Sequence, residues 1–277
     1  MAIEGLGRFG VWRRYPEFTP ADASELEGLG YGALWLGGSP PADLPVVESL
    51  LEATESITVA TSIVNIWTAP AKQVAESFHR IDARFPGRFL LGLGAGHPEA
   101  VSEYRKPYDA LVEYFDELDA EGVPKQRRAL AALGSRVLKL AAERSAGALP
   151  YLVTTEHTAR ARAVLGDGAL LATEHKVVLD EDPVRARATA IPRVEFYLDL
   201  QNYVANLRRL GFTDDDLTKP GSDRLYRGIV AHGGLESVVD QLSAHLAAGA
   251  DHVAIQVLDG DPSSTLRALA PLLAKQS

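Results

Sequence analysis

The chain contains no cysteine. That excludes disulfides and thiolate chemistry and removes the commonest zinc scaffolds, so no metal is expected. It has no apolar run approaching about 18 residues and no basic-then-apolar pattern at its start, which predicts a soluble, cytoplasmic protein with no membrane partner. It also lacks a basic surplus: the formal net charge is -9, so no phosphate-neutralising surface is expected and nucleic acid is excluded as a partner. A dinucleotide fingerprint is missing as well. Gly92-Leu-Gly94-Ala-Gly96 alternates glycine, but the fingerprint needs Gly-x-Gly-x-x-Gly opening a helix near the start of a βαβ unit, whereas here Pro98 follows and three strand-helix units precede.

What is present is a rhythm. A chain of 277 residues, 46% of them hydrophobic, can bury one large core, and α/β barrels commonly reach this size. Gly7 to Trp12 reads as a short strand, after which Thr19-Pro20 opens a helix that ends at Leu29-Gly30. Ala33 to Ser39 is a second strand closing on Gly37, Gly38 and Ser39. Ile57 to Trp67, rich in β-branched residues and free of charge, has the pattern of a strand buried on both faces of a parallel sheet. A helix with Val74, Phe78, Ile81 and Phe85 on one face then stops at Pro86-Gly87.

The fourth strand, Phe89 to Gly96, is the centre of the pattern. Glycine costs stability inside a strand unless something must approach the backbone closely, so this strand is expected to open onto a ligand with His97 at the rim. Further strands are expected at Arg128 to Leu133, Leu149 to Thr155, Ala169 to Leu179 and His252 to Leu258, the seventh interrupted by Thr173, Glu174, His175 and Lys176. Residues 183–228 break the rhythm as a helical insertion between strand seven and its helix, expected to act as a lid or an oligomer contact. Eight strands, each followed by a helical segment, imply one domain over residues 1–277 with the (β/α)8 TIM-barrel fold, whose chemistry sits at the C-terminal strand ends.

Those ends carry Gly38 and Ser39; Ser62, Ile63 and Asn65; Gly96 and His97; Leu133, Gly134 and Ser135; and Thr154, Thr155, Glu156 and His157. The last two groups open helices, where unpaired N–H groups and the helix dipole favour an anion. Glu156 fits a solvent-facing place in the first turn. His97 is the candidate proton carrier, because an imidazole near its ordinary pKa suits acid-base work at neutral pH; its alternative role is a hydrogen bond to a ligand or a neighbouring carbonyl. Glu174 and His175 point to opposite faces, so only one can enter a pocket. Trp35 and Trp67 read as core, Tyr104 as a candidate cap on the pocket, and Asp214 to Asp216 as a solvated turn.

At these strand ends the sequence resembles the luciferase-like monooxygenase superfamily, and within it the coenzyme F420-dependent oxidoreductases. The resemblance rests on Thr61-Ser-Ile-Val-Asn65, Leu91-Gly-Leu-Gly-Ala-Gly96, Ala131-Ala-Leu-Gly-Ser135 and Val153-Thr-Thr-Glu-His-Thr158. It implies a homodimeric bacterial-luciferase-like barrel with F420 at its mouth, a non-prolyl cis peptide at Ser62-Ile63 behind the ring, and a cofactor tail held at Gly134-Ser135 and Thr154 to His157. It implies hydride transfer to or from a small, apolar organic substrate. FMN in a monooxygenase is the alternative cofactor, and a non-catalytic binding paralogue is a further alternative. Sugar-phosphate dehydrogenases of the family carry histidine where this chain has Ser39, glutamate where it has His97, and lysine where it has His157. The resemblance therefore carries no sugar-phosphate substrate and no catalytic role to those three positions.

Overall fold

A computed structural model describes residues 5–97 and 106–276. Tyr104 lies outside the described residues. The chain opens with β1 (Phe9–Arg14), α1 (Pro20–Gly28), β2 (Ala33–Gly37), α2 (Pro45–Glu52), β3 (Thr58–Thr61), β4 (Val64–Asn65) and α3 (Ala71–Arg84). β5 (Phe89–Gly94), α4 (Pro107–Ala120), β6 (Arg128–Leu130), α5 (Ser135–Arg144), β7 (Gly147–Ala148), α6 (Thr155–Leu165) and β8 (Leu170–Val178) follow. Four helices come next: α7 (Pro183–Leu198), α8 (Gln201–Arg209), α9 (Asp214–Leu217) and α10 (Asp223–Ile229). β9 (Val230–His232), α11 (Leu235–Ala247), β10 (His252–Val257) and α12 (Pro262–Leu273) complete the fold.

Every strand pairing among the described residues is parallel. The order β10-β1-β2-β3-β5-β6-β7-β8 closes on itself because β8 also pairs with β10, with His252 opposite Ala172 and Val257 opposite Val177. With β3 and β4 counted as one interrupted stave, eight staves form the expected (β/α)8 barrel. β9 is an extra short strand on the upper end of β8, with Lys176 opposite Val230.

Alternation along the staves divides the core in two. Leu34, Leu36, Val59, Phe89, Leu91, Val253 and Ile255 pack outward with the helices, and Trp12, Trp35, Ala60, Leu90, Ala129, Leu149, Ala172 and Ala254 form a separate interior cluster. A third cluster, including Val178, Val194, Tyr197, Leu207, Leu225 and Ile229, joins α7 to α10 with the upper end of β8.

Three strands differ from expectation. The third stave breaks between Thr61 and Val64, where the Ser62-Ile63 peptide is cis, so the uninterrupted strand read over 57–67 is two short ones. The sixth is laddered only at Gly147–Ala148 and runs as irregular chain to Thr154, rather than as a strand over 149–155. The seventh is continuous from Leu170 to Val178. Its polar residues do not interrupt it, because Glu174 and Lys176 neutralise each other inside the barrel and His175 meets His245 outside it. Glu174 and His175 therefore lie within a continuous strand.

Candidate active site

The staves end at a mouth whose floor is set by Trp12. Gly37 has no side chain, and a Cβ there would fall 2.0 Å from the Trp12 ring, so the glycine admits the indole. Trp12 Nε1 then donates to Ser62 Oγ at 3.1 Å, beside the cis peptide. Ile63 packs toward Gly94, where a Cβ would sit 3.0 Å from Ile63 and 3.1 Å from Ala131. Ser62, Ile63, Ala95, Ala131 and Leu133 are all half-buried, so this side of the mouth is accessible.

The strand glycines thus have a different reason from the one the sequence suggested. A Cβ on Gly92 would lie 1.8 Å from the Thr61 carbonyl oxygen, and one on Gly96 would lie 2.9 Å from the Asn65 amide. The close approach comes from the chain's own atoms. Asn65 is used locally too: its Oδ1 accepts from Trp67 N at 3.0 Å and its carbonyl accepts from Thr68 and Ala69. Gly38 and Ser39 sit exposed at the rim, both with positive φ.

The other half of the mouth is filled by aromatic rings and a buried ion pair that sequence reasoning missed. Lys176 is fully buried; its Nζ lies 2.9 Å from Glu174 Oε1 and 4.0 Å from the centre of the Tyr151 ring. Glu174 also accepts from Leu152 N at 3.1 Å. Burial pushes the Lys176 ammonium below its usual range, and the Glu174 carboxylate opposes that shift. Above them the Tyr151 hydroxyl meets Tyr197 Oη at 2.7 Å and Gln256 Oε1 at 2.8 Å, and Tyr203 stacks beside both rings. The helices α7 and α8 supply Tyr197 and Tyr203, so the helical insertion packs directly on the mouth.

His97 belongs to this aromatic group. Its ring lies 5.3 Å from that of Tyr203, and its Nδ1 is 3.3 Å from Asn202 Oδ1 on α8, a contact in which the imidazole N–H donates. Two elements distant in sequence therefore orient the candidate proton carrier.

The expected anion site is a second focus. Gly134 is the N-cap of α5, with no side-chain cap, and a Cβ on it would meet nothing within 4 Å. Ser135 begins the helix exposed. Thr154 caps α6 by accepting from His157 N at 3.2 Å, which leaves the N–H groups of Thr155 and Glu156 at the helix start. His157 joins the two openings: its Nε2 donates to Leu133 O at 3.0 Å, just ahead of Gly134. Burial holds the His157 imidazole below its ordinary pKa, so the ring is neutral, and its Nδ1 has no partner. Glu156 turns outward to Arg160, as expected of a solvent-facing first-turn residue.

Trp35 is core, donating to His252 Nε2 at 2.9 Å. Asp216 of the acidic run closes a capping box with Thr213 and pairs with Arg224. Among the described residues no cluster could hold a metal ion, and no helix is long and apolar enough to cross a membrane.

The sequence profile described as luciferase-like monooxygenase matches residues 10–120. No curated protein matches by sequence. Among solved structures, an F420-dependent secondary alcohol dehydrogenase in complex with an F420-acetone adduct is similar at TM-score 0.76 and 13% identity, over 97% of this chain and 98% of that one. The coenzyme F420-dependent tetrahydromethanopterin reductase of Methanopyrus kandleri also gives 0.76, at 15% identity over 98% and 99% of the two chains. The FMN-bound oxygenating constituent of 3,6-diketocamphane monooxygenase from Pseudomonas putida, a type II Baeyer-Villiger enzyme, gives 0.70 at 15% identity over 98% and 99%. The chain is thus a (β/α)8 barrel that resembles the luciferase-like monooxygenases in sequence over residues 10–120 and is similar in fold to the solved structures above over nearly its whole length.

Proposed function

We propose that the protein is a coenzyme F420-dependent oxidoreductase that transfers a hydride between the deazaflavin and a small organic substrate. The observation that carries this reading is the pair of helix openings at α5 and α6, held side by side by the His157–Leu133 bond, with open space at Gly134. Uncapped N–H groups at two adjacent helix starts suit the phosphate of a cofactor tail. The donor set fits such a group: Glu156, the acidic residue in the first turn of α6, is drawn away by Arg160, and the charges of Arg160 and Arg209 act on neighbouring His157. The half-buried floor at Ser62, Ile63 and Ala131 then offers the seat for a flat ring, with Leu133 leading from it toward the tail site.

A deazaflavin supplies hydride chemistry at one ring carbon. The protein's own part is to orient the two reactants, keep water out and handle the accompanying proton. Tyr151, Tyr197 and Tyr203 close one side of the mouth, and His97, aligned by Asn202, is the residue assigned the proton. The two F420-dependent neighbours at TM-score 0.76 support the choice of cofactor.

FMN is the second reading, favoured by the FMN-bound neighbour and by a tail site that would accept either phosphate. A fluorescence titration separates the two. F420 is expected to be quenched or shifted on binding, with FMN at least tenfold weaker. No change in F420 fluorescence at excess protein would remove the F420 assignment, saturable FMN binding in its place would favour the second reading, and binding of neither would favour a non-catalytic barrel.

A further inference from the structure

The mouth has a recess that shares Trp12 with the floor but is lined by none of the residues named at the tail site. It lies where β1 and β10 end, beside α7, and forms a cavity of about 500 Å³ that includes Trp12, Arg13, Arg193, Gln256 and Asp259 in its lining. That volume is within the range of small-molecule sites. Its character is charged, against the apolar substrate expected from sequence.

Among the described residues, several of the lining groups are short of hydrogen-bond partners. The Arg13 side chain is only 12% exposed, yet its guanidinium makes two long contacts, 3.4 Å to Asp22 Oδ1 and 3.3 Å to Ser263 Oγ, and its Nε–H has no acceptor. Asp22 is meanwhile committed to the cap of α1 through Thr19. Arg193, on α7, makes no hydrogen bond or ion pair among the described residues. Gln256 is buried and gives its amide oxygen to Tyr151, which leaves its NH2 as a donor on the cavity it lines. Asp259 uses Oδ2 on Thr265 at 2.6 Å, and its Oδ1 has no partner. Glu17 stands at the exposed rim.

Buried polar groups are ordinarily satisfied, and charged ones left short of partners are costly. Here two under-used guanidiniums and an amide face one recess together with one under-used carboxylate oxygen. A ligand with an anionic end and a hydroxyl would complete both sets. We propose that this cavity binds a small hydroxy carboxylic acid, its carboxylate on Arg13, Arg193 and the Gln256 amide and its hydroxyl donating to Asp259. Trp12 forms a wall of the recess and bonds Ser62 on the adjoining ring floor, so the acid would be the substrate. Only that last assignment rests on the F420 reading; the binding does not.

Equilibrium dialysis of the full chain, with no cofactor added, tests the site using 3-hydroxybutyrate, butyrate and 1,3-butanediol. Binding is expected to be strongest for 3-hydroxybutyrate, weaker for butyrate and absent for the diol. Arg193→Gln should weaken it by about tenfold or more, the loss of one charge-assisted hydrogen bond, and Arg193→Lys should retain part. Arg193 has no hydrogen bond or ion pair to lose among the described residues, so an unchanged thermal melt is expected for both variants. Failure of wild-type protein to retain 3-hydroxybutyrate at millimolar concentration, equal retention of the diol, or unchanged affinity in Arg193→Gln would each overturn the proposal. If the acid fails while F420 binds, the cofactor reading stands without it; if the acid binds and F420 does not, the cavity stands and the redox role falls.

Discussion

Three buried histidines should make this barrel lose stability at mildly acidic pH, well before most carboxylates titrate. His252 is held neutral inside the barrel, accepting from Trp35 Nε1 at 2.9 Å while its own Nδ1–H donates to Gly7 O at 2.9 Å. A second proton would set N–H against N–H. Outside the barrel, His245 Nε2 and His175 Nδ1 lie 2.9 Å apart and share one proton, and Thr158 occupies the other His245 nitrogen at 2.8 Å. Burial lowers the pKa of His245 and of His252 to about 4, and pushes that of His175 well below its ordinary value, with the charge of His245 adding to the effect. The sign follows from proton counting: below pH 6.5 the unfolded chain takes up protons that the folded chain refuses, so stability is full above that pH and is lost as pH falls toward 4. For a group moving from 6.5 to about 4, the loss between pH 7 and pH 5 is about 2 kcal/mol, or roughly 4 kcal/mol for His245 and His252 together. That is a large part of the roughly 5–15 kcal/mol a folded domain has in hand. Urea unfolding at the two pH values measures it. His245→Gln should flatten the pH dependence by about 2 kcal/mol whatever it does to absolute stability, because it removes one titrating group. Equal unfolding free energies at pH 7 and pH 5, or an unaltered pH dependence in His245→Gln, would refute the reasoning.

Gly134→Asp should separate folding from binding: a carboxylate at an uncapped N-cap stabilises α5 by up to about 1 kcal/mol, yet it should weaken F420 at least tenfold by occupying the site proposed for its phosphate, read by melting and fluorescence titration. His97→Ala should preserve F420 affinity and lower turnover about 10²- to 10⁴-fold, with a pH profile that loses its imidazole limb; unchanged turnover would remove the proton role. Lys176→Met leaves Glu174 buried without its partner and should cost about 3–5 kcal/mol in chemical denaturation, most of it recovered in Glu174→Gln/Lys176→Met. Gly92→Ala should cost about 3 kcal/mol or more, since its Cβ would fall 1.8 Å from the Thr61 carbonyl oxygen, and soluble protein of near wild-type stability would contradict the packing described.

The barrel was legible because its outward-facing strand residues, such as Leu34, Leu36, Val59 and Leu91, are apolar and recur between amphipathic helices. The helix openings at Gly134 and Thr154 were legible for a similar reason: cap chemistry is local, and both positions are N-caps. The glycines of the fourth strand announced a close approach without saying whose atoms make it, and a single strand cannot say, because the answer is the Thr61 carbonyl on its neighbour and the Ile63 side chain beyond it. The largest misreading was of β8, where a charged pair looked like an interruption.

Hydropathy periodicity treats charge as a sign of solvent, but Glu174 and Lys176 are two residues apart, so in a strand they share a face and can neutralise each other within the barrel. The same rule applied to His252-Val-Ala-Ile-Gln256 places Gln256 inward with Ala254 and His252, a polar residue committed to the interior of an apolar strand. Tyr197, Tyr203, Asn202 and Arg193 could not be read this way. They reach the mouth from helices whose docking is decided by the separate cluster joining α7 to α10 with β8, and no local pattern reports it. The architecture here follows from repetition along the chain, whereas the polar side chains proposed to recognise a ligand break the repeat. Repetition along the chain therefore exposes the helix openings proposed for the cofactor tail and leaves the recess at Arg193 and Gln256 dark.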